Sequence, residues 1–325
     1  MASRVLGFVR DVLIASVLGT GPVADAFVVA FRFPNLFRRF FAEGAFNAAF
    51  VPLYAKKAEA DGDEAAHAFA SNAMSGLAFV LLIFTGLGLL FMPWVMLIMA
   101  SGFLLLPGEE FALSMLPELA SRLAEPVGRE KYDLAVLFTR IAFPYLLFVS
   151  LVAMLSGVLN SRGKFAVAAG APVLLNVVLI ITLLFFADLT ETPGHALVWG
   201  VFAGGVLQFL ALAWGCWRAG AMPRFQRPRL TPDMRQLILL GIPGVIAAGI
   251  TQINLVVGTF IASIEDAAVS ILFYADRIYQ LPLGLVGVAM GVVLLPDLSR
   301  RLRASDVTGA LNVQNRAIEL SCLLT

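Results

Sequence analysis

Residues 24–52 read ADAFVVAFRFPNLFRRFFAEGAFNAAFVP, a stretch apolar enough to cross a membrane that nevertheless carries Arg32, Arg38 and Arg39. A helix of about 20 apolar residues crosses the bilayer core. An arginine that faces lipid at mid-bilayer costs roughly 2.5 to 3.5 kcal/mol, so three of them would cost on the order of 10 kcal/mol. We therefore expect these arginines to face a polar cavity inside a bundle of membrane helices.

The composition of the whole chain indicates an all-α polytopic membrane protein. Hydrophobic residues make up 60% of the 325 residues and charged residues only 14%, and the mean hydropathy is +0.88. A water-soluble domain of this size could not bury so much apolar surface. Cys216 and Cys322 lie in apolar stretches without the spacing of a disulfide framework or a metal site, and no cofactor is predicted.

Apolar runs predict nine membrane spans, of which the last is cut short at Thr325. They cover residues 3–18, 24–54, 72–100, 134–159, 165–187, 195–217, 236–262, 267–298 and a stretch from about residue 310. Basic residues concentrate on alternate loops, at 56–57, 162–164, 218–235 and 300–303. By the positive-inside rule those loops, and with them the N-terminus, lie in the cytoplasm.

The sequence also contains an internal repeat. The string FVPLYAKKAEADGD from Phe50 aligns without a gap with LLPDLSRRLRASD from Leu294. Repeated lobes with helices interrupted by Pro or Gly are typical of secondary transporters. We therefore predict an N-terminal lobe of six transmembrane helices at 1–217, a basic cytoplasmic linker at 218–235 and the incomplete start of a C-terminal lobe at 236–325. On this reading the chain is a fragment, because the second copy should run beyond Thr325.

Charged and polar side chains on the first two spans and on the repeated segment predict an anion-binding site. A guanidinium group offers a fork of donors that suits phosphate and keeps its charge when desolvated. Several such groups together with two aspartates suit a pyrophosphate, with the carboxylates holding the arginines or exchanging partners with them. The candidate residues are Arg4, Arg10, Asp11, Asp25, Arg32, Asn35, Arg38 and Arg277. The alternative is that they form salt bridges between helices, with arginines near span ends reaching the headgroups.

Several strings resemble those of one family, the MurJ (MviN-type) lipid II flippases of the MOP exporter superfamily. They are SRVLGFVRD at 3–11, ADAFVVAF at 24–31, PNLFRRFFAEGAFNAAFVP at 34–52, AFPYLL at 142–147, GGVLQ at 204–208 and YADRIYQLPLGLVGVA at 274–289. The resemblance implies a MATE-like fold of two lobes, with fourteen helices in all. It also implies that lipid II, the undecaprenyl-pyrophosphate-linked peptidoglycan precursor, is moved from the cytoplasmic to the periplasmic leaflet by alternating access.

The same resemblance implies a set of site residues and a cellular setting. The cavity arginines of the family match Arg4, Arg10, Arg38 and Arg277, and its cavity aspartates match Asp11 and Asp25. Gln280 departs from the pattern, because some members have a glutamate there. The implied location is the bacterial cytoplasmic membrane, and the implied partners are lipid II, membrane lipids and the cell-wall synthesis machinery, with no nucleic acid.

Two other functions are compatible with a membrane protein of this composition. Another exporter of the same superfamily could carry a different polyprenyl-linked sugar or a cationic drug, although a cation exporter should line its cavity with carboxylates rather than arginines. An intramembrane enzyme acting on polyprenyl phosphates would need an acid-base or metal constellation, and the sequence offers no convincing one. We therefore predict a transporter rather than an enzyme.

Overall fold

The computed structural model describes residues 2–40, 45–105, 109, 111–121, 129–289, 295–304 and 306–324. Within these ranges the regular structure is helical throughout. The helices are α1 (Ala2–Leu18), α2 (Pro22–Arg38), α3 (Ala45–Leu90), α4 (Met92–Ala100), α5 (Leu116–Ser121), α6 (Glu130–Ala142), α7 (Tyr145–Ser161), α8 (Phe165–Phe185), α9 (Pro193–Arg218), α10 (Pro232–Ala262), α11 (Ala268–Ala289), α12 (Leu295–Arg303) and α13 (Val307–Leu324). Short 3-10 helices cover Ser101–Leu104, Leu113–Met115 and Ala187–Leu189.

The chain is a membrane protein, as its composition predicts. Among the described residues, five helical stretches are long and apolar enough to cross a bilayer. They are Ala48–Leu90, Glu130–Ser161, Phe165–Phe185, Pro193–Arg218 and Pro232–Ala262. Helices α1 and α2 have 17 residues each, slightly fewer than a typical span needs.

Helix boundaries differ from the predicted spans around the proline-containing segments. The span predicted at 24–54 is not one regular helix, because α2 ends at Arg38, about one turn beyond Pro34. Proline lacks the N–H that a helix interior needs and thereby weakens the turn before it. The next helix, α3, runs on to Leu90 and joins the second predicted span to the third, with a break only at Gly62 (φ 85°). A residue other than glycine would be strained at that φ.

Helix α2 lies at the centre of the helical bundle formed by residues up to 270. Its side chains from Ala24 to Ala30 are at most 1% exposed, and it packs mainly against α6, with further contacts to α7 and α9. Glycines on α9 allow α8 to approach closely, since a Cβ at Gly204 would lie 2.6 Å from the Leu175 side chain. Small residues serve the same purpose at many helix interfaces in membranes.

Contacts divide the chain into two compact units, residues 1–270 and 271–325. Each unit is described by itself below. The division into lobes at 1–217 and 236–325, joined by the basic linker, rests on the internal repeat rather than on contacts. It stays a prediction.

Candidate functional site

Arg10 and Asp11 form a buried charged pair in the first unit. The Nη2 and Nε atoms of Arg10 lie 2.6 and 2.9 Å from Oδ1 of Asp11, and its Nη1 donates to Oδ1 of Asn176 at 2.7 Å. Both charged residues are buried. The Asn176 amide in turn donates to the backbone carbonyl of Ser3, which fixes the amide's orientation against α1. A desolvated guanidinium is thus neutralised by one carboxylate and hydrogen-bonded to one amide.

The depth of this pair follows from the helices that surround it. Arg10 lies near the middle of α1, and Asn176 near the middle of α8. The guanidinium also lies 5.7 Å from the ring centroid of Phe31, near the middle of α2. Three helices thus meet the Arg10 side chain about halfway along their lengths. The charged pair therefore lies far from the ends of all three helices.

Asp25 lies away from this pair, at the N-terminal end of α2, and is fully buried. Its Oδ2 is 2.8 Å from Nζ of Lys131, and its Oδ1 accepts a hydrogen bond from the backbone N–H of Ser270 at 2.8 Å. Lys131 also lies 3.6 Å from Asp266 and 4.4 Å from the ring centroid of Phe103. Because Ser270 is in the first turn of α11, the carboxylate also occupies a favourable position at a helix N-terminus.

The polar residues in the middle of α2 face two different environments. Arg32 is half-buried, and its Nη1 lies 3.5 Å from Oγ1 of Thr259 on α10. Asn35 donates its side-chain amide to the carbonyl of Phe31, one turn earlier on its own helix. Arg32 is separated from Asp25 by about 10 Å along the helix axis at 1.5 Å per residue. The predicted residues of α2 thus form a line along the helix rather than one cluster.

Arg4 and Arg38 occupy helix ends. Arg4 is exposed in the first turn of α1, about 9 Å along the axis from Arg10. Arg38 is half-buried in the last turn of α2, where the helix dipole favours a cation. Although Arg4 and Asp11 are seven residues apart, only Asp11 is buried.

Arg277 belongs to the second unit, on α11. Its Nη1 lies 3.3 Å from Oε1 of Gln280, whose amide lies 3.3 Å from Oδ2 of Asp276. The guanidinium carbon is 4.7 Å from the ring centroid of Phe273. The neutral amide of Gln280 therefore bridges Asp276 and Arg277 by hydrogen bonds.

The C-terminal end of α10 contacts the segment that follows α4. The backbone N–H of Gly102 donates to Oγ of Ser263 at 3.1 Å, and the rings of Phe111 and Phe260 pack edge to face at 5.2 Å. A Cβ at Gly102 would lie 2.4 Å from the carbonyl carbon and oxygen of Ser263. Only glycine permits this approach, which lies at the same end of the bundle as Asp25.

The N-terminal end of α10 has one ion pair with α3. Nζ of Lys57 lies 2.7 Å from Oδ2 of Asp233 and 3.3 Å from Oδ2 of Asp61. These carboxylates are about half exposed, and such pairs contribute roughly 0 to 1 kcal/mol. The two ends of α10 are therefore held with unequal strength.

A second polar cluster joins the α7–α8 turn to α3. Arg162 donates to the hydroxyl of Tyr54 at 3.4 Å and lies 3.1 Å from both Asp63 and His67. The hydrogen bond to Tyr54 raises the pKa of Arg162 above its ordinary value. A cavity of about 400 Å³ beside it is lined by both acidic and basic side chains, Glu59 and Lys164 among them. This mixture does not favour an anion.

Sequence reasoning missed two residues that contact the predicted site residues. Asn176 is the one amide in the otherwise apolar stretch 165–185, a signal for a buried partner. Lys131 lies between the spans predicted at 72–100 and 134–159 and is not among the candidate site residues. The signal there was indirect, since a buried Asp25 requires a cation at the same end of the bundle.

Comparisons with known proteins identify the sequence family and the fold of the chain. Residues 14–325 match the sequence family described as "Lipid II flippase MurJ". The chain is 46% identical to a "Probable lipid II flippase MurJ" of Rhizobium tropici, over 100% of this chain and 58% of that protein. It is 47% identical to its counterpart in Rhizobium meliloti (strain 1021), over 100% of this chain and 57% of that protein. The chain thus spans less than three fifths of the length of these relatives.

Solved structures share the fold at low sequence identity. One, described as "Lipid II flippase MurJ, inward closed conformation", matches 99% of this chain and 61% of its own with a TM-score of 0.70 and 24% identity. An inward-facing MATE-family multidrug transporter of the MOP superfamily matches with a TM-score of 0.66 and 15% identity, over 99% of this chain and 68% of its own.

The chain has the fold shared by the solved MurJ and MATE transporters, which defines its structural class. Within that class, the chain belongs to the lipid II flippase MurJ family. Its relatives carry the name of a transporter and not that of an enzyme.

Proposed function

We propose that the whole protein moves lipid II from the cytoplasmic to the periplasmic leaflet of the bacterial cytoplasmic membrane. The observation that carries the proposal is the buried pair of Arg10 and Asp11, halfway along α1, in a chain of the MurJ family. A pyrophosphate that crosses the membrane needs guanidinium donors along its path. The N-terminus lies in the cytoplasm, as the basic loops indicate.

Arg10 binds the pyrophosphate by exchanging partners. In the structure its charge is neutralised by Asp11, and one of its donors is held by Asn176. An incoming phosphate oxygen is a stronger acceptor than the amide and replaces Asn176, while Asp11 keeps the guanidinium oriented. Arg4, Arg32, Asn35 and Arg38 supply the remaining contacts in the first unit, and Arg277 of the second unit is a substrate-binding candidate through its resemblance to the family's arginines.

Asp25 acts at the outer end of the path rather than on the pyrophosphate. With Lys131 and Ser270 it closes that end, together with the contact between Gly102 and Ser263. The partly exposed pair of Lys57 and Asp233 lies at the inner end of α10, where an ion pair of this kind adds little to closure. Alternating access follows, since the inner contact breaks first and admits the substrate, and the outer contacts break when the lobes rock.

The remaining features of the proposal concern the setting of the protein. The N-terminal lobe at 1–217 and the start of the C-terminal lobe at 236–325 move against each other, with the linker 218–235 on the cytoplasmic side. Membrane lipids surround the helices, and enzymes of cell-wall synthesis supply and consume the substrate.

The test is transport by the whole protein in cells depleted of their own flippase, with lipid II exposure at the outer face as the measurement. We expect exposure to be restored by the protein and not by an Arg10→Gln variant present in the membrane at the same level. Failure of the unaltered protein to expose lipid II would contradict the proposal. Release of a product from a polyprenyl phosphate by the purified protein would instead support an enzyme.

A further inference from the structure

The segment between α9 and α10 is an extended strip fixed to α3 by side-chain hydrogen bonds. The backbone N–H groups of Arg224 and Gln226 donate to Oγ of Ser71 and of Ser75, both at 2.9 Å. Arg229 both donates to and accepts from the Asn72 side chain, at 2.8 and 2.7 Å. These three anchor residues are buried on α3. A loop without helix or strand thus has a defined backbone conformation.

The strip presents basic and apolar side chains outward. Arg224, Arg227 and Arg229 are exposed, and no carboxylate in the described part of the chain lies within ion-pair distance of them. Between and beside them, Phe225 is 59% and Leu230 76% exposed. In water, exposed apolar side chains of this size are unfavourable, whereas a bilayer surface accommodates both kinds of side chain.

The strip joins the ends of two candidate membrane spans, Pro193–Arg218 and Pro232–Ala262. Helix α9 ends with Trp214 and Trp217, which are 55% and 70% exposed, and Arg218 lies over the Trp214 ring at 5.4 Å. Exposed tryptophans are enriched at the headgroup level. Beyond the strip, the exposed aliphatic residues of α10 begin at Ile238. The strip therefore lies where headgroups surround the protein.

We propose that residues 222–230, the basic strip, bind the headgroups of anionic phospholipids in the adjacent leaflet. The arginines pair with lipid phosphates, and Phe225 and Leu230 enter the boundary between headgroups and acyl chains. Since the anchors on α3 fix the backbone, little conformational entropy is lost when lipids bind. The proposal is independent of lipid II transport.

The test places one tryptophan on the strip and compares two brominated lipids. The four native tryptophans, all more than half exposed, are replaced by phenylalanine, and Phe225→Trp supplies the reporter. The protein is reconstituted in nanodiscs of phosphatidylcholine that contain a fixed fraction of either brominated phosphatidylglycerol or brominated phosphatidylcholine. We expect several-fold stronger quenching by the anionic lipid, declining as salt rises.

Two sets of variants decide the cause of this preference. Arg224→Gln, Arg227→Gln and Arg229→Gln together should abolish it, whereas Arg300→Gln, Arg301→Gln and Arg303→Gln on α12 remove the same charge elsewhere and should leave it unchanged. Ser71→Ala, Asn72→Ala and Ser75→Ala keep every arginine and should reduce it. Equal quenching by the two lipids in the parent protein would overturn the proposal. Absence of quenching by either lipid would also overturn it, and would favour a soluble acidic protein as the partner.

Discussion

The Asp25 carboxylate on α2 and the Lys131 ammonium group on α6 lie 2.8 Å apart, and Asp25 is fully buried. Their pairing joins the second helix to a distant part of the chain and, through Ser270, to α11. A buried ion pair is costly to form but more costly to break by removing one partner. We therefore regard this pair as the main closure of the outer end.

Removal of one partner at a time should have unequal effects on stability. Lys131→Met leaves the carboxylate buried without a cation, and we expect a loss of about 3 to 5 kcal/mol. Asp25→Asn keeps an acceptor for Ser270 and should cost about 1.5 to 3 kcal/mol. The double variant should be more stable than Lys131→Met alone. The measurement is a double-mutant cycle of unfolding in detergent, with Asp133→Asn, on an exposed pair, as the control.

The close contact of Gly102 with Ser263 predicts a change in accessibility at the outer end. Gly102→Ala forces its Cβ against the Ser263 backbone and should favour the open form. In a protein whose native cysteines are replaced by alanine, Ser263→Cys should react with an external maleimide several times faster when Gly102→Ala is added. Gly258→Ala, whose Cβ would meet no atom within 4 Å, is the control. An equal rate in all three proteins would show that the contact does not close the path.

The break at Gly62 predicts a backbone effect that is separate from transport. With φ at 85°, an alanine there is strained and should lower the unfolding free energy by about 1 to 2 kcal/mol. Gly86→Ala, in the same helix α3 and with open space around its Cβ, should not lower it. Thermal unfolding of the two variants distinguishes them, and equal midpoints would indicate that α3 can straighten at residue 62.

Asn176 offers a test of the proposed exchange of partners. Asn176→Asp adds a second carboxylate next to Arg10 and should hold its guanidinium more firmly, so that a pyrophosphate competes less well. We expect lipid II transport to fall at least tenfold, and the melting temperature to fall as well, because a carboxylate cannot donate to the Ser3 carbonyl and adds a second buried negative charge beside Asp11. Normal transport by this variant would indicate that Arg10 does not leave Asn176 during the cycle.

The fold class could be predicted from the sequence because apolar residues dominate the chain. In a bilayer, a helix satisfies its backbone hydrogen bonds within one segment. The polar cavity that the energetic cost of Arg32, Arg38 and Arg39 indicates stays a prediction, since the first two are half-buried and Arg39 is exposed. The end of α2 at Arg38 could not be predicted, because hydropathy records apolar character and not where a proline interrupts a helix. The break at Gly62 falls in the polar stretch predicted as a loop, but hydropathy could not show that helix continues on both sides of it.

The site could be predicted only in part, since pairing depends on tertiary contacts. Arg10 and Asp11 are adjacent in sequence, but the side chains of adjacent residues on a helix point about 100° apart. Their pairing therefore could not be predicted from helix geometry, nor could the contact of Arg10 with Asn176 on α8. In the sequence Asp25 groups with the arginines, since only seven residues separate it from Arg32. In the structure its partners come from α6 and α11, which no helical periodicity of α2 could indicate.

The central claim, that Arg10 binds the pyrophosphate of the lipid, is tested most directly by affinity. Purified protein is titrated with lipid II and with a monophosphate analogue, in the unaltered form and as Arg10→Gln with Asp11→Asn, which removes both charges of the pair. We expect the double variant to bind lipid II about 10 to 100 times more weakly, the loss of one or two charged hydrogen bonds, and to lose its preference over the monophosphate. Arg316→Gln, exposed on α13, should bind normally. Unchanged affinity and preference in the double variant would contradict the claim.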